Sequence, residues 1–241
     1  MIAKTQGIVF HQIKYSESSL IVKMYTREFG IQSYLVKGVR SKKSKIRPAL
    51  LQHLSLLDIV ASHKEKSNLH YIREIHSAHQ YASIPYDMIK SSITLFVNEL
   101  LMKAIREEEP NTALFDFVFQ SMQWLDLASE NYVNFHLIFS MQLCRYLGFY
   151  PRGVYSPSTP YFDLEEGCFE NRRPIHHNYL QGKESENLSM LSDFSFDNIE
   201  DITLNNESRN KLLNQIVQYY QLHLPNFGEL KSLDVLRTVL S

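Results

Sequence analysis

Residues 7–13 (GIVFHQI), 19–26 (SLIVKMYT) and 31–39 (IQSYLVKGV) decide the fold. Each is short, rich in β-branched and aromatic residues and close to period two, the pattern of a half-buried strand. Phe29-Gly30 marks a turn between the second and third runs. Residues 54–61 (LSLLDIVA) and 69–75 (LHYIREI) supply a fourth and a fifth strand, separated by the polar stretch 62–68. Five short strands with hairpin-scale turns predict a small closed or partly closed barrel, because an open sheet of that size leaves unpaired edges. An OB-like barrel is the expected form.

Beyond residue 84 the apolar period lengthens from two to about three and a half. Ile89, Ile93, Phe96, Val97, Leu100, Leu101 and Ala104 form one helical stripe, which Glu107-Glu108-Glu109-Pro110 ends. Leu114, Phe117, Val118, Met122 and Leu125 form a second, and Phe135, Ile138, Phe139, Leu143, Tyr146 and Leu147 a third, stopped by Gly148 and Pro151. These three helices in series are expected to form a bundle. Residues 149–186 are proline-interrupted and charged, which predicts an irregular excursion with a short strand pair around 161–169. Two further helices are expected, over 206–224 and 232–240. The class is therefore α+β, a barrel over residues 1–80 followed by a helical domain over 81–241 with an irregular insertion.

The net charge of −1 conceals an asymmetry. Residues 1–80 hold 13 Lys+Arg against 5 Asp+Glu, and residues 81–241 hold 12 against 21. A basic barrel joined to an acidic helical half suggests that a polyanion is met on one side only. No run of eighteen apolar residues occurs and MIAKTQGIVF lacks the pattern of a signal peptide, so a cytoplasmic, nucleoid-associated protein without membrane contact is expected. Cys144 and Cys168 alone give no disulfide framework.

Residues 37–47 place Lys37, Arg40, Lys42, Lys43, Lys45 and Arg47 together with Gly38, Ser41 and Ser44. So many like charges cannot pack on one another but can track phosphates. Lys14, Lys23 and Arg27 extend the basic set. Tyr15, Tyr25, Phe29 and Tyr34 are interleaved with it, as base-stacking aromatics are on single-strand-binding barrels, although alternation buries about half of such residues. No phosphate loop, dinucleotide fingerprint, HExxH or GxSxG motif is present. The acidic groups Glu107-Glu108-Glu109 and Asp163, Glu165 and Glu166 leave a magnesium-dependent nuclease as one alternative, and an OB-fold nucleic-acid-binding protein outside repair as another. Cys168, His176 and His177 match zinc-ligand spacing poorly, so neither metal nor other cofactor is expected. Arg145 and Arg152 flank Leu147-Gly148-Phe149-Tyr150-Pro151, where cation and apolar surface suit an acidic, aromatic-tipped peptide.

Several of these segments, in order and spacing, resemble the RecO family of recombination mediators in its Bacteroidetes form. They are Thr5-Gln6-Gly7-Ile8-Val9, Tyr15-Ser16-Glu17, Thr26-Arg27-Glu28-Phe29-Gly30, Lys37-Gly38-Val39-Arg40, Leu147-Gly148-Phe149-Tyr150-Pro151 and residues 231–237 (KSLDVLR). The resemblance implies an N-terminal OB-fold, a helical C-terminal domain, binding of single- and double-stranded DNA, and strand annealing. It also implies partnership with RecR and with single-stranded-DNA-binding protein (SSB), and loading of the RecA recombinase without bond chemistry. Many members carry a four-cysteine zinc element after the L-G-[FY]-x-P motif. Here Tyr155 and Ser158 stand about where the first cysteine pair belongs, and Cys168 alone remains of the second.

Overall fold

The computed structural model describes residues 1–39, 46–63, 67–106 and 109–240. Five strands close into a barrel in the order β1-β2-β3-β5-β4. They are β1 (Ile2–Lys14), β2 (Leu20–Thr26), β3 (Gly30–Val36), β4 (Leu56–Ser62) and β5 (His70–His79). All neighbours are antiparallel except β3 and β5, which run parallel through Tyr34↔His70 and Leu35↔Tyr71. β1 is long enough to serve two neighbours, pairing β4 through its first half and β2 through its second. A register shift between Val9 and His11 bends it where it changes partner. The interior is filled by Val9, Leu20, Val22, Met24, Tyr34, Val36, Leu57, Ile59, Ala61 and Ile75.

The helices are α1 (Met88–Ala104), α2 (Thr112–Leu127), α3 (Phe135–Tyr146), α4 (Lys183–Ser192), α5 (Asn206–His223) and α6 (Ser232–Leu240). Packing divides the chain into two compact units that are not continuous in sequence. One comprises residues 1–87 and 105–127, the other 88–104 and 128–241. The expected bundle of three consecutive helices is corrected accordingly: α2 belongs with the barrel. The reason is aromatic. Phe10 and Tyr25 lie on the barrel's outer surface with ring centroids 5.9 Å apart, and Phe115 of α2 sits 5.7 Å from Tyr25. All three are buried, and the Tyr25 hydroxyl donates to the Asn111 carbonyl. Asn111 also caps α2 by accepting from Leu114 N.

In the second unit α1 and α3 pair, and α6 lies on α1. Glu99 of α1 accepts from the backbone N–H of Lys231 and Ser232, satisfying donors at the start of α6. The excursion contains a three-stranded sheet in the order β7-β6-β8, formed by β6 (Tyr161–Asp163), β7 (Cys168–Glu170) and β8 (Tyr179–Gln181). Gly167, at φ +67°, turns β6 into β7 with Tyr219 so close that a Cβ would strike its hydroxyl.

Candidate nucleic-acid interface

Side chains alternate across a strand, so the register sorts the barrel's residues into inside and outside. Leu20, Val22 and Met24 of β2 point inward, which leaves Ile21, Lys23 and Tyr25 outside. Two cross-strand rows follow on the outer surface. One runs Ile13, Ile21, Leu35, Tyr71 across β1, β2, β3 and β5, with Leu35 itself buried between its partly exposed neighbours; the other runs His11, Lys23, Ser33. Ile13 is half exposed, and Tyr15, 60% exposed, lies just past the end of β1. Lys14, Lys23 and Lys37 are exposed around these rows, with the Lys37 ammonium 5.3 Å from the centre of the Tyr71 ring. Neither row contains a carboxylate. An apolar and aromatic track bordered by ammonium groups can take nucleic-acid bases on the track and phosphates at its margins.

The outer surface shared by β1, β4 and β5 has the opposite character. Lys4, Val60 and Glu74 form one row and Gln6, Asp58 and His76 another. With Glu28 they line a shallow depression of about 390 Å³. Three carboxylates there repel phosphate, so among the described residues this surface is the less suited of the two to a polyanion.

The sequence-predicted residues fall into three groups. Lys14, Lys23, Lys37 and Tyr15 stand on or beside the apolar track, and Arg47 is exposed at the start of a short 3-10 turn (Pro48–Leu51). Arg40, Lys42, Lys43 and Lys45 lie outside the described residues. Arg27 and Tyr34 are placed against the reading. The Arg27 guanidinium grips Asp116 of α2 through two bonds of 2.9 and 3.0 Å, holding that carboxyl below the usual range. Tyr34 is fully buried in the barrel core, and burial drives its hydroxyl pKa up, so it offers no face to a base. Tyr25 is covered by α2, and Phe29 is half-buried against His63. Tyr71, Ile13 and Ile21 were not singled out in the sequence. Counting by two from Lys23 reaches Ile21, but pairing Leu35 with Tyr71 requires the parallel register of β3 and β5.

In the second unit the Arg145 guanidinium lies 4.4 Å over the Tyr150 ring. Phe149 is stacked on His223, with ring centres 5.1 Å apart, and its carbonyl accepts from Tyr219 Oη. Arg152 is exposed and donates to the Glu166 carbonyl at 3.0 Å.

The residues of the excursion do not fit the zinc element that many members of the resembled family carry. Ser158 Oγ is bonded to Ser156 Oγ at 2.8 Å, and Tyr155 N donates to Ser189 Oγ. Cys168 Sγ faces Glu170 at 3.3 Å, and burial together with that carboxylate raises its thiol pKa, disfavouring the thiolate a metal needs. Asp163 accepts from Glu165 N and Glu166 N through one oxygen and faces His176 Nε2 at 3.1 Å through the other. Among the described residues no three His, Cys, Asp or Glu side chains are arranged to hold a metal ion. None of the described helices is long and apolar enough to cross a membrane.

The fold and this surface define a class: a barrel-and-helix protein whose small closed barrel carries a cationic and apolar outer surface. The family model "Recombination protein O N terminal" matches residues 1–81, and "Recombination protein O C terminal" matches residues 85–234. Relatives named DNA repair protein RecO span the whole chain. That of Phocaeicola vulgatus is 39% identical over 241 residues, covering 100% of both chains. Those of Bacteroides fragilis and Flavobacterium psychrophilum are each 41% identical, over 98% and 99% of both chains. The chain belongs to the RecO family of DNA repair and recombination proteins.

Proposed function

We propose that this chain is a recombination mediator that binds single- and double-stranded DNA along the track of its barrel that exposes Ile13, Ile21 and Tyr71, and brings complementary strands together. Its service is electrostatic and positional. Lysines at the margin of the track screen phosphate repulsion, which neither requires an acid–base group nor breaks a bond. With RecR it helps load RecA onto single strands covered by SSB. The acidic, aromatic-tipped tail of SSB docks by Phe149 between the cations Arg145 and Arg152, neither of which forms an ion pair with a carboxylate among the described residues. Arg40, Lys42, Lys43 and Lys45, which follow Lys37 in sequence and lie outside the described residues, add phosphate contacts.

The observation that carries this reading is the carboxylate-free apolar row bordered by Lys14, Lys23 and Lys37. It is tested by titrating a single-stranded oligonucleotide at several salt concentrations. Replacing Lys14, Lys23 and Lys37 by Ala lowers the salt slope by up to about three units. Tyr71→Ala leaves that slope unchanged and costs about 1–3 kcal/mol of binding, the worth of one stacked base. Unchanged binding in both variants moves the interface off this surface.

A further inference from the structure

Helix α1 buries nearly its whole circumference, yet the strip it leaves to solvent is apolar. Met88, Leu95 and Met102 are 74%, 40% and 39% exposed, and Ser91 is the other exposed residue of the helix. The three large side chains are seven residues apart, so they fall on one line along the helix that drifts by about 20° per step. A helix packed only within its own unit turns its polar side outward. In α1 the arrangement is reversed, with Ser92, Thr94 and Asn98 buried and methionine and leucine in water.

The charged residues of α1 are Lys90, Glu99 and Lys103, and each is drawn to a backbone group of the same unit. Lys90 Nζ donates to the Ala128 carbonyl and Lys103 Nζ to the Phe227 carbonyl, while Glu99 accepts from the N–H groups of Lys231 and Ser232. None of them stands on the line of Met88, Leu95 and Met102. Helix α6, which lies along α1, adds one more apolar group. Arg237 reaches Asn214 of α5 from one flank of α6, and Val235, about 200° round the helix from it, is 47% exposed on the flank turned from α5.

A strip of this kind is what a second helix covers. Charges flanking an apolar seam set which helix pairs with which, and in which direction, by repelling the wrong choice. This seam carries none that would repel its own copy. Its spacing is also symmetric, since Met88 lies seven residues before Leu95 and Met102 seven after. Turning one copy by half a turn about an axis at Leu95 sets Leu95 against Leu95, and each Met88 against the other copy's Met102, over about 21 Å of helix. Seven-residue spacing suits helices crossing at about 20° with axes about 8–10 Å apart.

We propose that the exposed face of α1 is a two-fold, antiparallel contact between two copies of this chain, centred on Leu95. The surface is smaller than that of a permanent dimer, so the association is reversible, with a dissociation constant on the order of tens of micromolar. The contact itself stands on the helical unit alone. Its consequence rests on the function proposed above: a dimer carries two barrel tracks, so one particle holds both of the strands to be annealed.

The test is analytical ultracentrifugation of the full chain from about 1 to about 200 µM, a range that brackets such a constant. Wild type is compared with Leu95→Glu and Leu95→Lys, each alone and the two mixed in equal amounts. Because Leu95 meets its own copy at the axis, either variant alone sets like charges together and the mixture sets opposite ones. The expected result is a wild-type dimer that forms with concentration, association at least about tenfold weaker in each variant, and recovery in the mixture to within about threefold of wild type. Thermal melts establish that the variants are folded, and Met88→Glu with Met102→Lys, which meet across the same axis, repeat the comparison if the Leu95 variants are not. A wild type that stays monomeric throughout overturns the proposal and leaves the seam to a different protein. A dimer that no folded variant weakens places the contact elsewhere, and variants that weaken it without recovery on mixing show that Leu95 does not face itself. Affinity for a short single-stranded oligonucleotide stays within about twofold of wild type in the Leu95 variants, and replacing Lys14, Lys23 and Lys37 leaves the dimer intact. Lost oligonucleotide binding with the dimer present therefore counts against the track, and a lost dimer with binding present counts against the seam.

Discussion

Asp126 shows how much one side chain can organise. It is buried at the end of α2, and its carboxylate accepts from the backbone N–H groups of Ala82, Ser83 and Ile84 at 2.9–3.1 Å and faces His79 Nε2 at 3.0 Å. The segment leaving β5 thus turns around a single anion. Burial by itself pushes this carboxyl's pKa up, but the three backbone donors and His79 outweigh it and bring it to about 2. A carboxyl whose folded pKa lies below its unfolded value contributes stability that is fully present above about pH 4. That contribution, on the order of 2 kcal/mol, is lost as pH falls toward 2. Asp126→Ala should cost more, about 3–5 kcal/mol, because three buried N–H groups lose their acceptor. It should also flatten the acid limb between pH 4 and 2. Chemical denaturation at pH 7 and at pH 3 measures both, and an equal loss at the two pH values would show that the carboxylate is not the organising charge. Nothing in the spacing of Asp126 distinguishes it in the sequence from a solvated helix-end acid, since its partners lie more than forty residues away.

Among the elements, the barrel strands were legible because each carries its own alternation and turn, and all five are present, although β1 starts earlier and β5 ends later than the pattern puts them. The missing half of β1, residues 2–6, has the weaker run IAKTQ, whose strand character depends on pairing with β4. Helix α4 escaped for a related reason. It buries Ser185, Asn187 and Ser189 beside only Leu188 and Leu191, so it shows no apolar stripe. Strand β8 is three residues long and takes its form from β6. The placement of α2 was the larger surprise, since its stripe looks like those of α1 and α3. What differs is the partner: the Tyr25 ring alternates to the outside of the barrel, where Phe115 covers it and Phe10 stacks beside it. Period alone reports that a face is buried and not what buries it. Phe115→Ala should therefore destabilise the barrel's unit by about 3–5 kcal/mol. The fluorescence or near-ultraviolet dichroism of the tyrosines would follow it, and a change below about 1 kcal/mol would mean that α2 does not hold this surface. The binding track was half legible for the same reason. Its cations are read directly from residues 14–37, whereas its apolar row exists only once four strands are in register.

For the molecule as a whole, the units interleave. The two family-model matches meet between residues 81 and 85, as the charge and the hydrophobic period do, yet the packing returns residues 105–127 to the barrel and sends 88–104 elsewhere. A cut near residue 80 separates basic from acidic sequence without separating two foldable pieces. A fragment ending at Ser83 would keep all five strands and the track with Lys14, Lys23, Lys37 and Tyr71. It would lose Phe115 from the Tyr25 ring, Asp116 from Arg27, the Asn111 carbonyl from the Tyr25 hydroxyl, and Asp126 from Ala82 and Ser83. Exposing the rings of Phe10 and Tyr25, each fully buried in the whole chain, forfeits roughly 2 kcal/mol apiece of apolar burial. A barrel of this size has little stability to spare. The expected outcome is a fragment with strand-like far-ultraviolet dichroism at low temperature, no cooperative thermal transition, and salt-sensitive but weak binding of oligonucleotides driven by charge alone. Adding residues 84–127 restores α2, but only together with α1, which then lacks α3 and α6. A fragment ending at Ser83 that melts as sharply as the full chain and binds a single strand as tightly would show that α2 contributes nothing to the barrel. The DNA-binding role would then be separable by truncation instead of by point substitution alone.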